Sequence, residues 1–407
     1  MRQDTLRSHR VLREILGGNA VVSVLAIGLA LLVGSILVVF TDPEVQAASG
    51  YLFARPADTV RAVGDAIGGA CSALFQGAVF NGTRAGWANQ IKPLTETLTV
   101  ATPLIAAGLG VSVAFRAGMF NIGGRGQMLI AAAVAGWISW SFPMPHLLHM
   151  LVCVLGAMVG GALWGGLAGV LKARTGAHEV IVTIMLNYVA FYLVSFLLRT
   201  PGALQAPGSA NPKSPAALDT AVMPTLSDLL GVGSFRLHAG FILVVAATIL
   251  IWWVLNRSGV GFRFRVVGEN PNAARVAGID VKRVYLVAMM MSGGLIGLAG
   301  ASQVLGTTTT GFGSGIDAGI GFDAITIALL GRSRPWGVFA SGLMFGALKT
   351  GGYAMQAAQA VPIDLVLVVQ SVIVLLIAAP PLVRAVFRLP APAATTLPHR
   401  APKAVNR

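Results

Sequence analysis

The chain has 407 residues, of which 55% are hydrophobic and only 11% are charged, and its mean hydropathy is +0.77. Soluble domains carry about 25% charged residues, so this composition excludes an ordinary soluble protein and indicates a membrane protein. The net charge of +14 is better explained by Lys and Arg in cytoplasmic loops than by binding of nucleic acid.

A short basic segment, 1–18, precedes the first apolar run, 19–40, and is expected to be cytoplasmic. That run is longer than the roughly 7–15 apolar residues of a signal peptide, so we expect an uncleaved first span. The mixed segment that follows, 41–91, contains four of the 15 acidic residues. We expect this segment outside, with an interfacial helix near Asp58–Phe80.

Nine further apolar runs bring the expected number of spans to about ten. They cover 94–115, 126–142, 148–171, 180–198, 237–256, 284–305, 320–331, 336–356 and 362–383. The runs 126–142 and 320–331 are short of the roughly 20 residues that a complete crossing needs. The predicted fold is therefore an all-α polytopic membrane protein with about ten transmembrane helices and short or broken helices near 120–127 and 320–331.

The distribution of basic residues predicts the orientation. If the N-terminus is inside and the spans alternate, 21 of the 29 Lys and Arg residues fall inside, 7 fall outside and Lys349 lies within a span. Basic residues favour the cytoplasmic side, so both termini are expected there. The transmembrane domain then covers 19–388, with an external loop at 200–236 and a cytoplasmic loop at 257–283. The basic, Pro- and Ala-rich tail 389–407 is expected to be disordered.

The most polar interval of the second half is Arg263–Arg283, RFRVVGENPNAARVAGIDVKR. Asn270 and Pro271 are typical of a helix start, and Gly278 of a left-handed helix end, which predicts a helix over 271–277. A helix this short needs contacts elsewhere, and its small side chains permit another surface to approach closely. The residues of interest are Glu269, Asn270, Pro271, Asn272, Ala273, Ala274, Arg275 and Gly278. The alternative interpretation is an ordinary cytoplasmic loop with a helical turn.

Two glycine-rich polar breaks separate apolar runs, FNIGGRGQ at 120–127 and GIGFD at 319–323. Non-helical backbone at membrane depth must be buried in protein or line a cavity. The first break is therefore either a broken helix beside a translocation path or a tight cytoplasmic turn. In the second, Asp323 either lines a path or caps a short helix over 324–330.

Asn187 is a buried amide within a span, and it either bonds between helices or lines the path. Together with the breaks it gives a set of path candidates. They are Phe120, Asn121, Gln127, Asn187, Phe322 and Asp323.

Glycines at a spacing of about four mark two further runs. They are Gly156, Gly160, Gly161, Gly165 and Gly169, followed by Gly293 and Gly297. Such stripes permit transmembrane helices to approach closely, and we expect packing within one bundle, with a subunit interface as the alternative.

No chemistry of its own is predicted for this chain. It contains no Gly-x-x-x-x-Gly-Lys-[Ser/Thr] phosphate loop and no convincing grouping of nucleophile and base. The two cysteines have no metal-ligand spacing, and no cofactor is expected. If transport is driven by ATP, hydrolysis belongs to another subunit.

Four stretches in the same order carry a resemblance to a known family. They are AFRAGMFNIGGRGQMLIAA at 114–132, HEVIVTIMLNYVA at 178–190, GENPNAARVAGIDVKRVY at 268–285 and GIGFDAITIALLGRSRPWG at 319–337. The chain resembles the permease subunits of bacterial ABC importers of the simple-sugar and nucleoside branch, most of all those of nucleoside uptake. In that family a short cytoplasmic helix rests in a groove of the ATPase subunit, and here this corresponds to 271–277.

The resemblance implies a subunit that translocates a nucleoside or simple sugar across the bacterial inner membrane. It implies an ATP-binding cassette ATPase, an external substrate-binding protein and a second permease subunit, expected to be a different chain, as partners. Membrane lipid surrounds the complex and nucleic acid is not involved. The alternative is a secondary transporter driven by an ion gradient, which would need ionisable groups deep in the spans. Four come near: Asp317, Asp323, Lys349 and Asp364.

Overall fold

The computed structural model describes residues 19–231, 235–359 and 361–388. The N-terminal segment 1–18 and the tail 389–407, for which disorder is predicted, lie outside the described residues. Within the described part all regular elements are helices, and the one isolated β-bridge joins Thr225 to His238. The all-α class predicted from the sequence is confirmed.

Sixteen α-helices and one π-helix follow one another along these residues. They are α1 Asn19–Thr41, α2 Pro43–Ser49, α3 Pro56–Ala78, α4 Trp87–Arg116, α5 Gly124–Ser141, α6 His146–Thr175, α7 Glu179–Leu197, α8 Leu226–Leu230, α9 Gly240–Arg257, α10 Gly259–Glu269, α11 Pro271–Val276, α12 Val281–Ser302, the π-helix Gln303–Thr307, α13 Ile320–Leu330, α14 Pro335–Gln359, α15 Ile363–Ala378 and α16 Pro380–Val386. Each of the ten apolar runs overlaps at least one of these helices, and the last run, 362–383, covers α15 and the start of α16.

Fewer helices than the ten expected spans are both long enough and apolar enough to cross a membrane. In the described residues five helices meet both criteria, namely α4, α6, α7, α9 and α12 with its π-helical end. The pair α1 and α2, bent by 68°, brings the number to six. The expected ten spans are therefore not confirmed. One reason is that α13 has only 11 residues, about half of what a complete crossing requires.

The chain divides into two compact units, 1–37 with 367–407, and 38–366. In the first, Gly34 of α1 packs so closely against Val369 of α15 that a methyl group at Gly34 would overlap it. All the candidate site residues belong to the second unit.

Two helices, α4 and α12, form the centre of the second unit. In their most apolar stretches 83% and 72% of residues are buried, against 22–39% in α6, α7 and α9. Helix α12 packs mainly on α6 and α4, and α4 packs also on α13 and α14. The hydroxyl of Thr97 in α4 donates to the carbonyl of Ala78 at 2.7 Å and lies 2.6 Å from the hydroxyl of Thr350 in α14. Polar contacts therefore help to fix these central helices.

The glycine stripes join α6 to α12. A methyl group at Gly161 would overlap the carbonyl oxygen of Gly293, and one at Gly297 would overlap that of Ala157. The two backbones thus pass at a distance that only glycine permits. Packing within one bundle, as predicted, is confirmed. The helix predicted near Asp58–Phe80 is α3, which packs against α14.

Candidate functional site

The loop 257–283 contains the short helix predicted from its sequence. The Asn270 side chain accepts hydrogen bonds from the backbone N–H groups of Asn272 and Ala273, both at 3.0 Å, and Pro271 occupies the first turn. Gly278 has φ 79°, in the left-handed region, and the N–H of Ile279 donates to the carbonyl of Ala274 at 2.9 Å. Both caps are confirmed, although α11 ends at Val276, one residue earlier than predicted.

The small residues of α11 do not all face outward. Ala274 is fully buried within the chain, whereas Ala273 and Ala277 are exposed and Val276 is 91% exposed. A helix of only 6 residues must pack one of its faces against the rest of the protein, and Ala274 lies on that face. Of the small side chains expected to let another surface approach closely, Ala274 is therefore not part of the outer surface. The outer surface consists of Ala273, Val276 and Ala277, with Arg275 bonded to Asn272 at 3.1 Å.

Helix α10, which the sequence did not predict, fixes this loop to the central helix α4. Its Ser258 cap accepts a hydrogen bond from the N–H of Gly261 at 3.2 Å. At its other end a methyl group at Gly268 would approach the carbonyl oxygen of Arg116 to 2.5 Å, so the α10 backbone lies directly on the end of α4. Helix α11 is therefore connected through α10 to the end of α4 by close backbone contact.

The first break, between α4 and α5, is closed by buried amides. The Asn121 side chain donates to the Gln127 side-chain oxygen at 3.0 Å and to the Ser292 hydroxyl at 2.8 Å, and it accepts from the N–H of Gly123 at 2.9 Å. Asn121 is fully buried and Gln127 nearly so. The prediction that both lie inside the bundle is confirmed. Because their hydrogen bonds are satisfied within the protein, they act as structural supports of the break.

Asn187 of α7 completes the same support. Its side-chain oxygen accepts from the N–H of Gly126 at 2.8 Å, and its nitrogen donates to the carbonyl of Ile122 at 2.9 Å. Of the two roles left open for Asn187, the contacts favour bonding between helices. Phe120, in contrast, is 49% exposed, and its ring contacts that of Phe115 in a tilted arrangement, with 4.7 Å between ring centroids.

The two breaks meet in space. A methyl group at Gly321 would overlap the backbone of Arg125, so the beginnings of α13 and α5 lie against each other. The Arg125 guanidinium lies 3.4 Å from the buried carboxylate of Asp317 and 4.7 Å from the centre of the Phe191 ring. The pairing of one break with the other was not expected from the sequence.

Asp323 does not cap a helix. Helix α13 begins at Ile320 after Gly319, whose φ is 77°, so Asp323 lies in the first turn and the expected cap of a helix over 324–330 is wrong. Its carboxylate instead accepts a hydrogen bond from the ammonium group of Lys349 in α14 at 2.5 Å. Its neighbour Phe322 is 51% exposed. Both remain candidates for the wall of a path.

Comparison with known proteins identifies the family of this chain. The family described as "Branched-chain amino acid transport system / permease component" matches residues 94–378. The guanosine ABC transporter permease protein NupP of Bacillus subtilis is 35% identical over 315 residues, which cover 76% of this chain and 89% of that protein.

Two further relatives have similar coverage. The glucose ABC transporter permease protein TsgB13 of Haloferax volcanii is 36% identical over 69% of this chain and 75% of its own length. The nucleoside ABC transporter permease protein NupB of Lactococcus lactis subsp. cremoris is 33% identical over 70% and 79%, respectively. No solved structure gives a significant match.

Proposed function

Since this chain belongs to the family of ABC transporter permeases, transport subunits whose ATPase is a separate partner, we propose that it forms part of the pathway by which a nucleoside is imported. The observation that carries this proposal is the similarity to NupP, a guanosine permease, over 89% of the length of that protein. A simple sugar is the second candidate, because a glucose permease is 36% identical to this chain.

We propose further that α11 is the element on which the ATPase acts, within the stretch Glu269–Gly278. Two observations support this role. The helix presents Ala273, Val276 and Ala277 to its surroundings, and α10 ties it to the end of α4. In an ATP-driven importer, closure of the ATPase pair must bias a rigid element of the permease, and α11 with α10 meets that requirement.

The path itself we assign to the surface around α13 and α14. Asp323 lies one turn into α13 and Lys349 lies in the middle of α14, and the two form an ion pair. Charged side chains inside a membrane segment cost free energy, and where they occur they usually mark a pathway for ions or substrate. Phe322 lies exposed beside them. Asn121, Gln127 and Asn187 lie behind this surface and hold its scaffold.

The assembly proposed around this chain contains an ATPase, a second permease subunit of different sequence and an external substrate-binding protein. We propose that the assembly lies in a bacterial inner membrane and that both termini of this chain are cytoplasmic. The excess of Lys and Arg in the segments expected inside supports this orientation. The ten runs are proposed to cross or enter the bilayer, with α5 and α13 as half-crossing elements that meet end to end.

Uptake by the reconstituted complex tests the proposal. Proteoliposomes that contain this permease, its partner permease and the ATPase are supplied with loaded binding protein and radiolabelled guanosine. The expected result is uptake that requires ATP and persists when an ionophore removes ion gradients. Uptake that depends on an ion gradient and proceeds without ATP would contradict the proposal. Glucose in place of guanosine tests the second candidate.

A further inference from the structure

A cavity of about 160 Å³ lies among α4, the π-helix, α13 and α14, and it is lined by both apolar and polar side chains. Its polar walls come from distant parts of the chain. They are Glu96, Thr99, Arg236, Gln303, Thr307 and Lys349. No residue of α11 lines this cavity. Its lining includes Ile320 of the second break and Lys349, but the sequence did not predict the cavity itself.

Gln303 is the residue that singles out this cavity. Its side chain is only 9% exposed, lines the cavity, and makes no hydrogen bond to any residue that the structure describes. The Gln303 amide is not among the fully buried unpaired groups of the described residues, so its atoms are accessible from the cavity and available to a ligand that enters. Gln303 also opens the π-helix, in which its carbonyl accepts from the N–H of Thr308 at 2.7 Å. Single π-turns within α-helices occur frequently at functional sites.

The charges around the cavity cancel in pairs. Glu96 lies 3.6 Å from Arg236, and Lys349 lies 2.5 Å from Asp323. A charged ligand would have to compete with one of these pairs. An uncharged ligand with hydrogen-bond donors and acceptors would leave both ion pairs intact. The amide of Gln303 and the hydroxyl of Thr307 can each donate and accept hydrogen bonds to such a ligand.

We infer that this cavity is a subsite for the uncharged, hydroxylated ring of the transported solute, with Gln303 as its main hydrogen-bonding residue. The inference rests on the proposed transport of a nucleoside or sugar. The cavity measures about 160 Å³. Sites for complete ligands of drug size usually measure about 300 Å³ or more. The cavity therefore holds the sugar ring, while the base of a nucleoside stays in the adjoining path.

Initial rates of uptake test this subsite in proteoliposomes of the complete importer, at saturating loaded binding protein. The probes are guanosine and 2′,3′-dideoxyguanosine, whose ring lacks the hydroxyls, and glucose as a free sugar. Gln303→Leu is expected to lower the maximal rate for guanosine about tenfold, which corresponds to the loss of one to two hydrogen bonds. The rate for dideoxyguanosine and the concentration of binding protein at half-maximal rate should not change.

Two further variants keep this experiment decisive. Thr307→Val removes a hydroxyl with almost no change in side-chain volume. If Gln303→Leu does not fold, Thr307→Val must show the same loss of guanosine uptake with unchanged uptake of dideoxyguanosine. Gln370→Leu is the matched control, because Gln370 is also buried with its amide nitrogen unpaired among the described residues but does not line the cavity.

The outcomes separate this inference from the proposed function. Equal losses for guanosine and dideoxyguanosine, or no loss for either, would overturn the subsite while leaving the importer in place. A wild-type importer that transports neither guanosine nor glucose would refute the proposed function and the subsite with it. If glucose is transported instead of guanosine, the same selective loss must appear between glucose and 2-deoxyglucose.

Discussion

The guanidinium of Arg125 and the carboxylate of Asp317 lie 3.4 Å apart and join the two interrupted segments of the bundle. Asp317 is 4% exposed and the Arg125 side chain is 32% exposed, so the carboxylate depends on its partner more than the guanidinium does. Breaking such a pair leaves a buried charge without compensation. The relative position of α5 and α13 should therefore depend on this contact.

Arg125→Ala is expected to lower the stability by about 2 kcal/mol, since the Asp317 carboxylate loses its counter-charge. Thermal unfolding of the purified protein in detergent measures the change. In the double variant Arg125→Ala with Asp317→Asn, part of the loss should be recovered, because the remaining side chain is neutral. Phe191→Leu controls for the ring under Arg125. An unchanged unfolding temperature for Arg125→Ala would contradict this prediction.

Gly161→Ala is expected to destabilise the protein by about 1–3 kcal/mol, because the added methyl group overlaps the carbonyl of Gly293 and forces α6 from α12. In an ordinary helix the same change would stabilise by up to about 1 kcal/mol. Gly68→Ala in α3, where nothing lies within 4 Å of the added methyl group, is the matched control. The same unfolding assay should give shifts of opposite sign for the two variants, and shifts of the same sign would argue against close backbone packing.

Val276→Trp is expected to abolish co-purification of the ATPase and ATP-driven uptake while leaving the permease folded. Val276 is 91% exposed on α11, so a bulky side chain there meets only a partner. Ala274→Trp should instead unfold the loop, since Ala274 is fully buried. Leu229→Trp, at a residue 74% exposed on the external side, is the control. If Val276→Trp binds the ATPase and transports normally, α11 is not the coupling element.

Acidification should destabilise the protein through His238, which precedes α9. Burial, and to a smaller extent the charge of Arg236, lower the pKa of His238 to about 4. The unfolded chain has the ordinary pKa near 6.5, so it binds more protons between these values. The contribution of neutral His238 to the free energy of unfolding is complete above pH 6.5. It is lost as the pH falls towards 4, and the loss amounts to about 3 kcal/mol at most.

The unfolding temperature at pH 7 and at pH 4.5 measures the effect of His238. In the wild type the Nδ1 of His238 accepts a hydrogen bond from the N–H of Gly240 at 3.2 Å. His238→Asn removes the titrating group, and the asparagine side-chain oxygen is able to accept the same hydrogen bond. The variant should therefore lose less stability on acidification than the wild type. An equal loss in both proteins would show that other groups determine the acid sensitivity.

Local features of the fold followed from the sequence because their causes are local. Asn270, Pro271 and Gly278 specify the ends of α11 through side-chain and backbone preferences that act within a few residues. The glycine stripe of α6 likewise indicated close packing, although not its partner. The burial of Ala274 could not be predicted, because it depends on which face of α11 meets the rest of the chain.

The site was less predictable because its contacts join distant residues. Asn121 and Ser292 are 171 positions apart, and Arg125 and Asp317 are 192 apart. A single sequence contains no signal for such pairs. Asp323 was assigned as a possible cap because the start of α13 was placed too late, at residue 324. Gln303 was missed because no side-chain cap marks the π-turn that it begins.

The central position of α4 has a consequence for how the protein is made. Its threonines at 95, 97, 99 and 102 are buried in the finished bundle. Its neighbour α12 begins only after about 160 more residues have been synthesised. At roughly 5–20 residues per second, α4 leaves the ribosome roughly 10–30 s before that partner exists. During this interval the insertion machinery or a chaperone must shelter α4 from lipid, so biogenesis of this chain should be unusually sensitive to a slowed ribosome.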